Sequence, residues 1–181
     1  MKIKYNSPVI LTYALISIGV LFINNLLYPS LIKQFFAVYP GTRFSDPVQD
    51  FRLVSHVIGH ANWSHLLGNF SLILLIGPLL EEKYGSLKLF EMVFVTALVT
   101  GLLNTFLFST GLLGASGIAF MLILLGSFSN IRTGEIPLTF LIVAVLFMGS
   151  EIISSLGKDN ISQFAHLIGG GIGAVYGFFR I

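Results

Sequence analysis

The chain has 181 residues, and at about 150 residues per domain this length predicts one domain that covers residues 1–181. Apolar residues make up 55% of the sequence and charged residues only 10%, against about a quarter in soluble domains. The mean hydropathy is +0.89. So few charges cannot cover the surface of a water-soluble particle, and the composition therefore predicts an integral membrane protein.

Charge and cysteine content exclude several kinds of partner and of chemistry. The net charge is +2, and the ten basic residues form no run that could follow a phosphate backbone, so no nucleic acid partner is expected. Because the sequence has no cysteine, it has no disulfide, no thiol nucleophile and no thiolate metal ligand.

Uncharged stretches divide the chain into membrane-spanning helices, each of which needs about 20 residues. Lys4 and Lys33 are separated by 28 uncharged residues, as are Arg52 and Glu81, so each interval accommodates one helix. The uncharged run over 92–131 has 40 residues and is long enough for two. The pattern predicts an all-α membrane protein with six spans, at about 8–28, 63–80, 88–108, 115–131, 136–155 and 160–179.

Six spans place both termini on the same side of the membrane. If that side is the cytoplasm, six of the ten basic residues lie inside, in agreement with the positive-inside rule. The first apolar run exceeds the roughly 7–15 residues of a signal-peptide core, so we expect a retained helix. The small size and short loops favour a bacterial plasma membrane, with cytoplasmic N- and C-termini.

The longest connection, residues 29–61, mixes turn formers with apolar residues. Three prolines interrupt it, yet the run from Phe35 to Tyr39 and Phe51 are aromatic or apolar. A fully solvated loop does not need such side chains. We therefore expect a partly structured outer loop, between the first and second spans, that lies in the membrane interface.

Ser116 opens the fourth span at an unusual depth. Counted from Ser116 to Ile131 the span has 16 residues, or about 24 Å, which is less than a hydrocarbon core of about 30 Å. The helix is therefore expected to begin below the outer surface, in a cavity. Unpaired backbone N–H groups in a first helical turn favour a developing oxyanion, and Gly114 and Gly117 allow close approach of the backbone. Alone, such small residues are more often packing contacts.

Three further polar residues occur inside predicted spans. His166 is an ionisable group in the sixth span, and Gly169 and Gly173 continue its helical face, which would allow another helix to pack closely. If that helix is the fourth, His166 is a candidate base for a serine nucleophile. His65 and Asn69 are one turn apart in the second span and are candidate donors to an oxyanion, although polar residues in membranes often only tie helices together.

Together these motifs resemble the rhomboid family of intramembrane serine proteases, in order along nearly the whole chain. The resemblance implies a compact bundle of six helices that cleaves transmembrane segments of other membrane proteins from the outer side, without a cofactor. The motifs are Phe51-Arg52, His56, His60, His65-xxx-Asn69, Glu81-xxx-Gly85, Gly114-Ala115-Ser116-Gly117 and Ala165-His166-xx-Gly169-xxx-Gly173.

The resemblance also implies roles for individual residues. Ser116 is similar to the family's nucleophile and His166 to its general base, in a dyad without an acidic third member. His65, Asn69 and the backbone N–H of Ser116 resemble the oxyanion hole. Structural roles are implied for Arg52 and Glu81. Substrate is expected to enter the site laterally, past the fifth span and its outer loop. Two positions depart from the pattern, since Phe51 stands where the family usually has Trp and Phe120 where it often has Tyr.

Two alternatives stay open at this point. All four histidines, His56, His60, His65 and His166, could in principle bind a metal ion, but no acidic residue completes an HExxH motif, so no metal is expected. The other alternative is a catalytically inactive rhomboid-like protein that binds membrane helices. The presence of both Ser116 and His166 argues against it.

Overall fold

The computed structural model describes residues 4–41, 45–128 and 160–179, together with residues 138, 141, 142, 145 and 146. This part of the chain is helical, without a named strand, and an isolated antiparallel bridge joins Val38 to Leu112. The predicted all-α class is therefore confirmed for the described residues. The helices are α1 (Pro8–Leu26), α2 (Leu31–Phe35), α3 (Pro47–Ser55), α4 (Trp63–Tyr84), α5 (Ser86–Leu107), α6 (Ser116–Phe128) and α7 (Asn160–Phe179).

Among the described residues, α1, α4 and α5 are long and apolar enough to cross a membrane, with 19, 22 and 22 residues. Their outward faces are apolar, with large side chains such as Leu15, Leu75 and Leu79 well exposed. Such faces match a lipid solvent rather than water. The predicted fifth span, 136–155, lies outside the described residues except for the five isolated positions given above.

Glu81 joins the starts of α1 and α5. Its carboxylate accepts hydrogen bonds from the backbone N–H groups of Val9 and Ile10, both at 3.0 Å, and from the hydroxyl of Ser86 at 2.7 Å. The first amides of a helix have no partner within the helix, and a carboxylate beside them is also favoured by the helix dipole. The buried Glu81 therefore caps α1 and holds both helix starts at one level of the molecule.

The connection between α1 and α4, residues 27–62, contains the short helices α2 and α3. Asp46 caps α3 by accepting a hydrogen bond from the N–H of Val48 at 3.0 Å. Helix α3 packs on α5, where a side chain at Gly101 would overlap the carbonyl oxygen of Leu53. The connection is thus partly helical and packed against the long helices.

Helix α6 lies at the centre of the molecule, and every residue from Ser116 to Ile123 is buried. The neighbour of α6 with the most extensive contact is α7. A side chain at Gly169 would overlap the carbonyl oxygen of Gly117, and one at Gly173 would overlap that of Met121. The two helices are therefore in backbone contact, as stripes of small residues allow in membranes.

Candidate active site

Ser116 is the first residue of α6 and is buried, with 9% of its surface exposed. The turn before it contains Gly114 at a φ of +116°, a conformation that residues other than glycine rarely adopt. Two hydrogen bonds hold this turn. The N–H of Gly114 donates to the carbonyl of His56 at 3.0 Å, and the N–H of Ala115 donates to Nε2 of His60 at 3.4 Å.

His65 and Asn69 of α4 face the turn before Ser116. A Cβ atom at Gly114 would lie 2.7 Å from Nε2 of His65 and 3.8 Å from Nδ2 of Asn69. Asn69 is buried, and its Nδ2 has no hydrogen-bond partner among the described residues. A buried donor without a partner costs about 1–3 kcal/mol, so this amide is suited to a ligand that supplies an acceptor.

The hydrogen bonds indicate which ring nitrogens carry protons. Nδ1 of His65 accepts from the N–H of Ala61 at 3.5 Å, which leaves Nε2 as its donor. His60 has the opposite arrangement, because Nδ1 donates to the carbonyl of Ile58 at 3.0 Å while Nε2 accepts from Ala115. The two rings pack edge to face, with centroids 5.0 Å apart. His60 therefore supports both the turn and the ring of His65.

His56 and His60 lie between α3 and α4 and are neutral at pH 7. Burial lowers the pKa of His56 to about 4, against the opposing effect of its hydrogen bond to Ala97. Burial, and secondarily the charge of His65, lowers the pKa of His60 to about 4. The neutral state is required for Nε2 of His60 to accept a hydrogen bond.

Helix α7 brings the backbone around His166 to the start of α6. A Cβ atom at Gly117 would lie 3.2 Å from the carbonyl oxygen of Ala165, the residue before His166. The ring of Phe120 lies beside Gly170, where a Cβ would meet Cδ1 of Phe120 at 2.7 Å. The side chain of His166 itself lies outside the described part of the chain.

Comparison with known proteins decides the family. A family model described as the rhomboid domain matches residues 47–181, about three quarters of the chain. The chain belongs to the rhomboid family. It is 24% identical over 143 residues to the rhomboid protease GlpG of Haemophilus influenzae, a match that covers 77% of this chain and 74% of that protein. The resemblance drawn from the motifs is therefore confirmed, and with it the assignment to a family of membrane-embedded proteases.

The motif residues Phe51 and Arg52 of this rhomboid join parts of the scaffold. Nε of Arg52 donates to the carbonyl of Gln34 at 2.7 Å, and its guanidinium lies 5.5 Å from the ring centre of Tyr39. Phe51 packs edge to face on Phe36, with centroids 6.0 Å apart. These contacts hold the α1–α4 connection together, as Glu81 holds the opposite end of α4.

The described part of this rhomboid contains no group of three or more His, Asp or Glu side chains that could hold a metal ion. Both ring nitrogens of His60 are already hydrogen-bonded to the protein, and Nε2 of His56 donates to the carbonyl of Ala97 at 3.0 Å. These two histidines therefore serve the scaffold in this structure.

Two contacts of the site have no signal in the sequence. The motif pattern gives His60 no particular role, whereas in the structure His60 accepts a hydrogen bond from Ala115, 55 residues further along the chain. The bridge between Val38 and Leu112 is equally unexpected, and its two hydrogen bonds of 3.0 and 2.9 Å hold the loop before α6. No local pattern indicates either contact, because each joins distant segments.

Proposed function

We propose that this rhomboid is an active intramembrane serine protease that hydrolyses peptide bonds in or near transmembrane segments of other membrane proteins. Ser116 is the nucleophile and His166 the general base. The observation that carries the proposal is the position of the buried Ser116 at the start of α6, with the donors of His65 and Asn69 beside the turn that precedes it. Family membership and the match to a rhomboid protease support it.

The proposed reaction is acyl transfer to water. Oγ of Ser116 attacks the peptide carbonyl while His166 takes the hydroxyl proton. The tetrahedral intermediate collapses, His166 returns the proton to the leaving amine, and the amine departs. Water, deprotonated by His166, then attacks the acyl-enzyme, and the departing Ser116 recovers its proton. A helical substrate has its carbonyls hydrogen-bonded, so it has to unwind locally before attack.

The oxyanion of the intermediate needs hydrogen-bond donors that are already in place. We assign this role to Nε2 of His65, Nδ2 of Asn69 and the backbone N–H of Ser116. The absence of a partner for Nδ2 of Asn69 among the described residues supports this assignment. The N-terminal position of Ser116 on α6 supports it as well, because first-turn amides have no acceptor within the helix.

The proposal extends to the arrangement in the membrane. We infer a single domain over residues 1–181 with six spans, in a bacterial plasma membrane with both termini cytoplasmic. The site opens to the outer side, and substrate enters past the fifth span. The basic residues support this orientation, since six of ten then lie in the cytoplasm.

Cleavage of a single-span substrate by the purified protein tests the proposal. We expect Ser116→Ala and His166→Ala each to reduce kcat by at least about 10³-fold, since each removes a member of the reacting pair. Ser127→Ala is the matched control, because Ser127 is a buried serine of the same helix that donates to the carbonyl of Ile123. Undiminished cleavage by Ser116→Ala would refute the nucleophile.

A fluorophosphonate and a chelator separate the alternatives. Labelling should map to Ser116 and disappear in His166→Ala, and a chelator should leave cleavage unchanged. Sensitivity to the chelator would favour a metal enzyme. Binding of the substrate without cleavage or labelling would favour the inactive helix-binding protein.

A further inference from the structure

An apolar groove of about 590 Å³ lies between α1, α3 and α5. Val9 and Ile16 belong to its α1 wall, and Val93 to its α5 wall. Phe90 and Phe94 extend the α5 wall as a stacked pair with centroids 6.3 Å apart. None of these residues belongs to the proposed active site, so the groove is a separate feature.

The groove begins at the first turn of α1 and ends against α3. Its walls start at the same level, because Glu81 binds the starts of both α1 and α5. Helix α3 closes the groove near the middle of α5, where His56 donates to the carbonyl of Ala97 at 3.0 Å. On α1 the lining runs from Pro8 to Ile16, eight residues or about 12 Å along the helix. The groove is therefore shorter than half of a hydrocarbon core of about 30 Å.

The length of the groove indicates which kind of molecule can occupy it. A transmembrane helix is about 10 Å wide and has to cross the whole core, but α3 blocks that path. Water has no polar partners along an apolar lining. One acyl chain of one leaflet fits both the length and the lining. The hydroxyl of Tyr5, an interfacial aromatic residue, is 2.9 Å from that of Thr12 in the α1 wall, so the segment before α1 borders the groove. The exposed Lys4 next to Tyr5 supplies a cation for a phosphate group.

We propose that the groove binds one acyl chain of a glycerophospholipid from the leaflet that faces the start of α1, with the lipid phosphate near Lys4. This site is independent of proteolysis. Its test therefore measures binding alone, and failure of the lipid site leaves the proposed protease untouched.

Fluorescence quenching in the full-length, delipidated protein in detergent tests the site. Trp63, the single tryptophan of the sequence, is first replaced by Phe, and Phe94→Trp then reports from the groove. The probe is phosphatidylglycerol with brominated acyl chains. Phe106→Trp is the matched control, since Phe106 is an exposed phenylalanine of the same helix outside the groove.

We expect the Phe94→Trp signal to fall by at least half and to saturate at one lipid per protein, at lipid concentrations that barely affect Phe106→Trp. Phe90→Trp is a second groove reporter if Phe94→Trp does not fold. If the groove and control reporters are quenched equally and without saturation, the site is refuted, because such quenching indicates only general contact with lipid. Displacement of the lipid by a single-span peptide would also overturn it, in favour of a bound helix.

Three substitutions test the location of the bound lipid. Val93→Phe fills the groove and should weaken lipid binding at least fivefold, whereas Val95→Phe, on the side of α5 that faces α7, should not. Equal effects of the two variants would refute the groove. Lys4→Gln should weaken binding of phosphatidylglycerol about threefold, and an unchanged affinity would refute the position of the phosphate.

Discussion

Asn69 is a buried amide whose Nδ2 has no partner among the described residues, one helical turn from His65. Such a donor is expensive for folding and useful for catalysis, because it is ready for an oxyanion without breaking a bond within the protein. His60 is the complementary case. Both of its ring nitrogens are hydrogen-bonded to backbone groups, and these bonds hold the turn before Ser116 in place.

Replacement of Asn69 tests the proposed oxyanion hole. We expect Asn69→Ala to reduce kcat by about 10²-fold, the usual effect of losing one such donor, with little change in KM. The free energy of unfolding should not fall, because the variant no longer buries an amide donor without a partner. Cleavage assays with a single-span substrate measure the first two quantities, and denaturant titration measures the third. His65→Ala should show a similar loss of kcat. A kcat for Asn69→Ala within twofold of the wild type would contradict the assignment.

The two buried histidines predict a pH dependence of stability. Their folded pKa values of about 4 lie below the unfolded value of about 6.5, so the unfolded chain binds more protons between these limits. Stability is therefore complete above pH 6.5 and falls as the pH drops from 6.5 to 4, by up to about 1.4 kcal/mol per pH unit for each histidine.

Denaturant titration in detergent between about pH 4 and pH 7 measures this slope. His60→Gln preserves a side-chain acceptor for Ala115 but does not titrate, so the variant should lose about half of the slope. A flat profile in the wild type, or an unchanged slope in His60→Gln, would show that these rings do not govern acid stability.

At the scale of helices, the candidate site depends on the contact between α6 and α7. Glycine at the points of closest approach lets the two backbones touch, so the helix that carries Ser116 and the helix that carries His166 are held at the smallest spacing that sterics allow. The bridge between Val38 and Leu112 adds a second restraint, since it ties the loop before α6 to the α1–α4 connection.

A pair of glycine substitutions in α7 tests this contact. Gly169→Ala should destabilise the protein by about 1–3 kcal/mol and reduce cleavage, because the new methyl group overlaps the backbone of Gly117. Gly171→Ala, two residues away, is the control, since a Cβ there meets nothing within 4 Å. Thermal unfolding of both variants gives the comparison. Equal stability of the two would refute a close α6–α7 contact.

At the scale of the whole molecule, composition and motifs predict the all-α membrane class, which is confirmed for the described residues, and the rhomboid family, which is confirmed. Regular spacing makes some neighbours predictable, such as His65 and Asn69 on one face of α4. Contacts between distant segments are not predictable. The hydrogen bond from Ala115 to His60 and the cap that Glu81 provides for α1 depend on packing, which no local pattern encodes.

The cap on α1 has a consequence for biosynthesis. Val9 and Ile10 are translated about 70 residues before the carboxylate that binds them exists. Until α4 has been made and inserted, these two amides depend on water or lipid headgroups. Helix α1 is therefore translated before α4, but its cap can form only once Glu81 of α4 is in place.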